Sequence, residues 1–208
     1  MEINKIYNCD IREILKDMPD KSVDLILTDF PYGVGFQYQN YNDSLENLKT
    51  LINDVFPNFF RISKQIVITC GNKNMFEYPK PDWTFAWVNN AGTGQSKYGF
   101  TCWHPILYYG DYKQNKKELC RDVILNNHNN PDKTNHPCSK PLDLWIKLMK
   151  VFSNENDLIF DGFSGSGTTA IAAYHTHRNF ICCELDKAYY DKSIERLKEV
   201  KNNLFENI

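Results

Sequence analysis

Residues 157–184 read DLIFDGFSGSGTTAIAAYHTHRNFICCE, and their punctuation decides the fold. Asp157–Asp161 is an apolar run of strand length, and D161-G-F-S-G-S-G-T-T169 follows it as a glycine loop. Thr168–Tyr174 then reads as a helix, and Asn179–Cys183 as a second buried strand. Glycines in such a loop let the backbone approach a ligand closely, and the helix start favours a negative group. The loop lacks the Gly-Lys-Ser/Thr ending of a phosphate loop. It also reads G-x-x-G-x-G and not G-x-G-x-x-G, a poor dinucleotide fingerprint. By itself such a loop is weak evidence, and a plain tight turn is the competing reading.

Glu184 ends the following strand, 17 residues beyond Gly167. A carboxylate there can accept hydrogen bonds from both hydroxyls of a ribose. Alone, Glu184 is equally a surface charge or the cap of the last helix. Together, strand, glycine loop, helix, strand and acid describe a nucleoside site with no phosphate grip. S-adenosylmethionine, with its ribose, adenine and amino-acid carboxylate, suits such a site.

Outward from this unit, strands and helices keep alternating. Lys5–Cys9 reads as a strand, followed by Asp10 as the cap of a short helix carrying Ile11, Ile14 and Leu15 and stopped by Pro19. Val23–Thr28 is a short apolar run suited to a strand buried on both faces. Asp43-Ser-Leu-Glu46 resembles a capping box, with a helical stripe from Leu45 to Phe59 behind it and Pro57 as a potential kink. Gln65–Cys70, Phe85–Val88 and Ile106–Tyr109 read as strands, and residues 110–135 as mostly loop. Pro141 suits the first turn of a helix with Leu144, Trp145, Leu148 and Met149, and a last helix runs from about Lys187 to Leu204. The alternation predicts a layered α/β fold with a mostly parallel sheet.

Composition agrees with one globular domain. The chain has 208 residues, 42% hydrophobic and 24% charged, which excludes disordered, collagen-like and coiled-coil classes. No apolar run approaches the roughly 18 residues of a membrane span, and the opening MEINKIYNCD is no secretory signal. Seven irregularly spaced cysteines fit a reduced, cytoplasmic setting. The net charge of -2 conceals a division: residues 1–96 carry -3, residues 97–140 carry +3 and residues 141–208 carry -2. The basic middle could meet a phosphate backbone, or be a solvated loop with surplus lysines.

Asp29-Phe30-Pro31-Tyr32 closes the VDLILT strand at its carboxyl end, where open α/β sheets place ligands. The amino group of a nucleobase is a poor nucleophile because its lone pair is delocalised into the ring. The Asp29 carboxylate and the Phe30 carbonyl can both accept from that group, biasing the nitrogen towards sp3 geometry with its lone pair aimed at an electrophilic methyl. Pro31 stiffens the turn. Tyr32 offers a ring for stacking, worth about 1–3 kcal/mol, against the few kcal/mol needed to flip a base.

With these motifs in this order, the chain resembles the amino-directed (adenine-N6/cytosine-N4) DNA methyltransferases. It has their beta-type arrangement, in which the tetrapeptide precedes the cofactor loop. The similarity covers nearly the whole chain, through NCD at Asp10, DLILTDFPYGVG, His136-Pro137-Cys138-Ser139-Lys140-Pro141, FDGFSGSGTT and FICCELDKAYYDKSIERL. It implies a single-domain, Rossmann-like, S-adenosylmethionine-dependent methyltransferase over residues 1–208. The implied catalytic residues are Asp29, Phe30, Pro31 and Tyr32. Asp10 is implied at the cofactor's adenine, Lys140 at its methionine end and Glu184 at its ribose, with Asp161, Phe163, Gly165, Gly167 and Thr168 in the binding loop. The implied partner is double-stranded DNA, and the implied assembly a homodimer.

Two departures stand out. Phe30 replaces the family's usual proline, which keeps the carbonyl but loosens the turn. Target recognition is left with a minimal insertion around 110–135. Cytosine N4 needs the same two acceptors and stays open, although that activity more often carries serine at the Asp29 position. A catalytically silent cofactor- and nucleic-acid-binding subunit is the reading of a different class. Pro137-Cys138 lies away from the catalytic strand end, which disfavours a cytosine-C5 nucleophile. No tight C-x-x-C pairs favour zinc.

Overall fold

The computed structural model describes residues 1–89, 94–111, 121–125 and 140–205. Its N-terminal half runs β1 (Lys5–Asn8), α1 (Ile11–Asp17), β2 (Leu25–Asp29), α2 (Leu45–Ile62) and β3 (Ile66–Thr69). A 3-10 segment (Asn72–Glu77) leads to β4 (Trp83–Val88), β5 (Gly94–Ser96), β6 (Gly99–Thr101), β7 (Trp103–Tyr109) and β8 (Val123–Leu125). The chain ends with α3 (Leu142–Phe152), β9 (Leu158–Asp161), α4 (Thr168–His175), β10 (Asn179–Glu184) and α5 (Lys187–Phe205).

Eight strands form one sheet in the order β1-β10-β9-β2-β3-β7-β4-β8, and β5 and β6 form a separate antiparallel pair. Every neighbouring pair is parallel except the two that involve β7, which runs against β3 and β4. Strand alternation assigns the core to two layers. Leu25, Leu27, Val67, Ile159, Phe180 and Cys182 face α3, α4 and α5. Ile26, Phe30, Ile66, Phe160, Ile181 and Cys183 face α1 and α2. Helices cover both faces, which is why β2, β3 and β10 are continuous apolar runs. Cys182 and Cys183 point to opposite faces, as their adjacency in a strand requires.

The chain crosses from β2 through α2 to β3 on one face, and from β9 through α4 to β10 on the other. The two crossovers leave in opposite directions from adjacent strands, so a crevice opens between the carboxyl ends of β2 and β9. Antiparallel β7 brings its first residues, Trp103 and His104, to that same edge, because its later residue Ile106 pairs with Thr69 at the end of β3.

Three local features differ from the sequence expectation. The cap of α2 is Ser44, whose side chain accepts from the Asn47 N–H, and Asp43 is spent elsewhere. Pro57 sits inside α2 without ending it; it lies on the exposed face, where a freed carbonyl meets water, while Val55, Phe56 and Phe59 anchor the helix. Val123–Leu125, within the segment read as loop, forms β8 parallel to β4. Residues 112–120 and 126–139, which include most of the expected target-recognition insertion and His136 to Ser139, lie outside the described residues.

Candidate active site

A cavity of about 560 Å³ opens at the crevice, within the range of small-molecule sites. Nine of the twelve residues singled out from the sequence line it: Asp10, Asp29, Pro31, Lys140, Asp161, Phe163, Gly165, Thr168 and Glu184. Phe30, Tyr32 and Gly167 do not line it but are the chain neighbours of Asp29, Pro31, Ser166 and Thr168, which do. The turn after β2, the glycine loop after β9 and the acid ending β10 therefore meet in one place.

The glycine loop is built around buried Asp161. Its Oδ1 accepts from Thr28 Oγ1 at 2.5 Å and from the Phe163 N–H at 3.0 Å, and its Oδ2 accepts from Thr169 Oγ1. The carboxylate thus ties the end of β9 to β2 and to the first turn of α4. Burial pushes its pKa up to about 6, although the two hydroxyls and the Phe163 N–H favour the charged form. Gly167 caps α4 with φ +82°, a conformation that favours glycine. Gly162 is required for space: a Cβ there would stand 1.9 Å from Ile11 Cδ1.

Glu184 reaches back to the loop. Its Oε2 accepts from the Gly165 N–H and its Oε1 from the Asp186 N–H, both at 2.8 Å. Burial raises its pKa, against the pull of those two N–H groups. Each oxygen keeps a further lone pair for a hydroxyl at the cavity wall. Asp10 caps α1 through the Arg12 N–H, and its carboxylate also holds the Arg12 guanidinium, which lowers its pKa. Over the cavity lies the loop after β2, shaped by buried Asp43. Its carboxylate accepts from the N–H groups of Gly33, Val34 and Phe36, and Asn40 of the same loop donates to Asp186 at 3.1 Å.

Asp29 ends β2 at the cavity rim. Thr69 Oγ1 donates to its Oδ1 at 2.5 Å, Tyr32 OH donates to the same oxygen at 3.1 Å, and Lys140 Nζ donates to Oδ2. The backbone carbonyls of Tyr32 and Gly33 accept from Asn74 Nδ2, which fixes the turn. The Tyr32 ring lies between Gly71, where a Cβ would crowd it at 3.0 Å, and His104, 5.9 Å away between ring centroids. His104 in turn stacks on Trp87, and burial lowers its pKa, reinforced by the nearby Lys140. Phe30 recovers by packing the stiffness that a proline would give. It is 1% exposed and touches Phe56, Phe59, Tyr78 and Phe163, the last at 4.6 Å between centroids. Phe163 belongs to the glycine loop, so the two motifs are joined through their rings.

Sequence reasoning passed over Thr28, Thr69, Thr169 and Asn74, and read Asp43 only as part of a helix cap. The available signal was the polar residue at the end of an apolar strand, Thr28 before Asp29 and Thr69 after QIVI. Among the described residues, no three His, Cys, Asp or Glu side chains gather as a metal site, and no helix is long and apolar enough to cross a membrane.

Known proteins are similar to this chain in sequence and in fold. Type II methyltransferase M.BglII of Bacillus subtilis is 26% identical, over 99% of this chain and 72% of its own. Type II methyltransferase M1.MboII of Moraxella bovis is 25% identical, over 98% of this chain and all of its own. The crystal structure of the M1.HpyAVI-SAM complex superposes with a TM-score of 0.68 at 26% identity, over 93% of this chain and 98% of that one. The PvuII cytosine-N4-specific DNA methyltransferase, at 16% identity and a TM-score of 0.69, shares the fold. The family model for N6/N4 enzymes, described as DNA methylase, matches residues 91–195, a span from before β5 into α5 that includes the whole glycine loop. The chain belongs to the N6/N4 DNA methylase family.

Proposed function

We propose that this chain is a Type II DNA methyltransferase that moves the methyl group of S-adenosylmethionine to the N6 amino group of an adenine flipped out of double-stranded DNA. One observation carries the reading: the Asp29 carboxylate stands at the rim of the same cavity that the glycine loop and Glu184 line. The DNA methylase family model supports DNA as substrate, and the SAM complex of M1.HpyAVI supports S-adenosylmethionine as methyl donor.

The residues present fit that donor. Gly165 lines the cavity at φ +51°, presenting backbone without a side chain there, and Glu184 beside it keeps a free lone pair on each carboxylate oxygen. Glu184 would take the ribose hydroxyls, Asp10 the adenine, and the loop from Asp161 to Thr168 the body of the molecule. When bound, the cofactor supplies an electrophilic methyl on a sulfonium. Everything else falls to the chain. Asp29 and the Phe30 carbonyl accept from the adenine amino group, holding the nitrogen lone pair out of conjugation. Thr69 and Tyr32 keep the carboxylate from turning away, and Pro31 with the Phe30 cluster keeps the turn in place. The nitrogen gains a carbon bond and sheds a proton, for which the Asp29 carboxylate is the adjacent acceptor. No covalent bond to the enzyme is needed.

Aspartate at position 29 favours adenine over cytosine N4. Residues 1–208 then form one methyltransferase domain with a minimal target-recognition insertion around 110–135, acting in the cytoplasm as a homodimer. Asp29→Ala is expected to abolish turnover on unmethylated DNA while leaving the dissociation constant for S-adenosylmethionine within a few-fold by calorimetry. Collapse of cofactor binding in that variant would show that the two sites are not separate.

A further inference from the structure

Resting on the proposed amine chemistry, we infer that Lys140 holds the target amine's seat on Asp29 in the DNA-free protein and yields it when the base arrives. The two carboxylate oxygens of Asp29 are unequal. Oδ1 already accepts from both Thr69 and Tyr32, while Oδ2 faces Lys140 Nζ. That ammonium also stands 5.1 Å from the centroid of the Tyr32 ring. It therefore occupies the two features a flipped base would use, an acceptor for an N–H and the face of an aromatic ring.

The pair makes sense at rest and is adverse in the reaction. With side chains only 11% and 21% exposed, Lys140 and Asp29 are enclosed enough that a bare carboxylate would be costly. During transfer, positive charge develops on the very nitrogen that Asp29 holds. An ammonium fixed on the same oxygen opposes that charge at close range. Lysine suits a contact that must be released, because its charge is compact and its four-carbon stem is flexible. Lys140 thus acts on Asp29 as a positioning residue, a role additional to the place at the cofactor's methionine end that the resemblance implies.

The test separates these roles by the amine alone. The methylated site is first read by sequencing DNA treated with the wild-type protein. Two duplexes are then made, one with adenine at the target and one with purine, which lacks the amino group. The ratio of their dissociation constants, measured with S-adenosylhomocysteine present, reports the net gain from seating the amine and cancels any phosphate contact. Lys140→Met is expected to raise the preference for adenine about tenfold, equivalent to about 1.4 kcal/mol, a change read from the ratio and so independent of any change in cofactor affinity measured without DNA. Lys140→Gln, which keeps a neutral donor on Asp29, is expected to change the ratio in the same direction and guards against misfolding of the methionine variant. An unchanged or lower ratio in both variants overturns the inference, as does a tenfold loss of cofactor affinity with the ratio unmoved. Failure of the wild-type protein to methylate any DNA overturns the proposed function itself, and this inference with it.

Discussion

Gly162→Ala tests the packing that shapes the cofactor cavity. Gly162 is not among the glycines of positive φ, so alanine there suffers no backbone strain and the effect is steric. Its Cβ would stand 1.9 Å from Ile11 Cδ1 and 2.7 Å from Ile11 Cγ1, where carbons at rest keep about 3.5–4.0 Å. Ile11 is 4% exposed and begins α1 directly after the Asp10 cap, so relief comes by turning its side chain into the cavity it lines or by shifting α1, and either takes space from the cofactor site. Overpacking of this kind costs about 1–3 kcal/mol, and we expect about 2 kcal/mol by urea denaturation. Moving α1 also moves Asp10, so cofactor affinity should fall in the same variant. Ile11→Ala removes both clashing carbons and leaves its own Cβ 3.5 Å from the new methyl, an ordinary contact. That change alone costs about 2–5 kcal/mol through the cavity it opens. The double variant should therefore be about 2 kcal/mol more stable than the sum of the singles implies. Additivity within about 0.5 kcal/mol would refute the clash.

Asp161 has a carboxyl raised to about 6 in the folded protein against 3.8 in its absence. The folded state then binds the proton more tightly than the unfolded chain, so this group's contribution to stability falls as pH rises from about 4 to about 6 and stays low above. A gap of about two pH units corresponds to about 3 kcal/mol. The stability of wild type minus that of Asp161→Asn should drop by that order between pH 4 and pH 7 in urea titrations, whereas a flat difference would contradict the burial of the charge. Phe30→Ala should lose about 3–5 kcal/mol, since it empties a fully buried aromatic cluster; a loss under about 1 kcal/mol would mean the ring does not anchor the turn.

Legibility in the sequence followed distance along the chain. The unit β9, glycine loop, α4 and β10 is local, and its period and punctuation stand within 28 consecutive residues. Asp29 and Glu184 were readable because each closes an apolar strand, and parallel sheets bring their ligands to that edge. The groups that orient them were not readable. Thr28 meets Asp161 across 133 positions, Thr69 meets Asp29 across 40, and Lys140 meets Asp29 across 111. Strand order and register create the first two, and the approach of the segment before α3 to the end of β2 creates the third. The capping-box pattern points to Asp43 as the cap of α2, and what moves the cap to Ser44 is the need of Gly33, Val34 and Phe36 for an acceptor. Strand β8 is three residues long, too short for any period to show. Phe30 looked like a loosened turn because its four ring partners come from α2, the segment after β3 and the glycine loop.

The most direct measurement is the identity of the methylated base. Unmethylated DNA is incubated with the protein and S-adenosylmethionine carrying a labelled methyl group, then digested to nucleosides and resolved by mass spectrometry. Label in N6-methyladenine is expected, and its loss with Asp29→Ala. Label in N4-methylcytosine would contradict the assignment to adenine, and no label in any nucleoside would contradict catalysis.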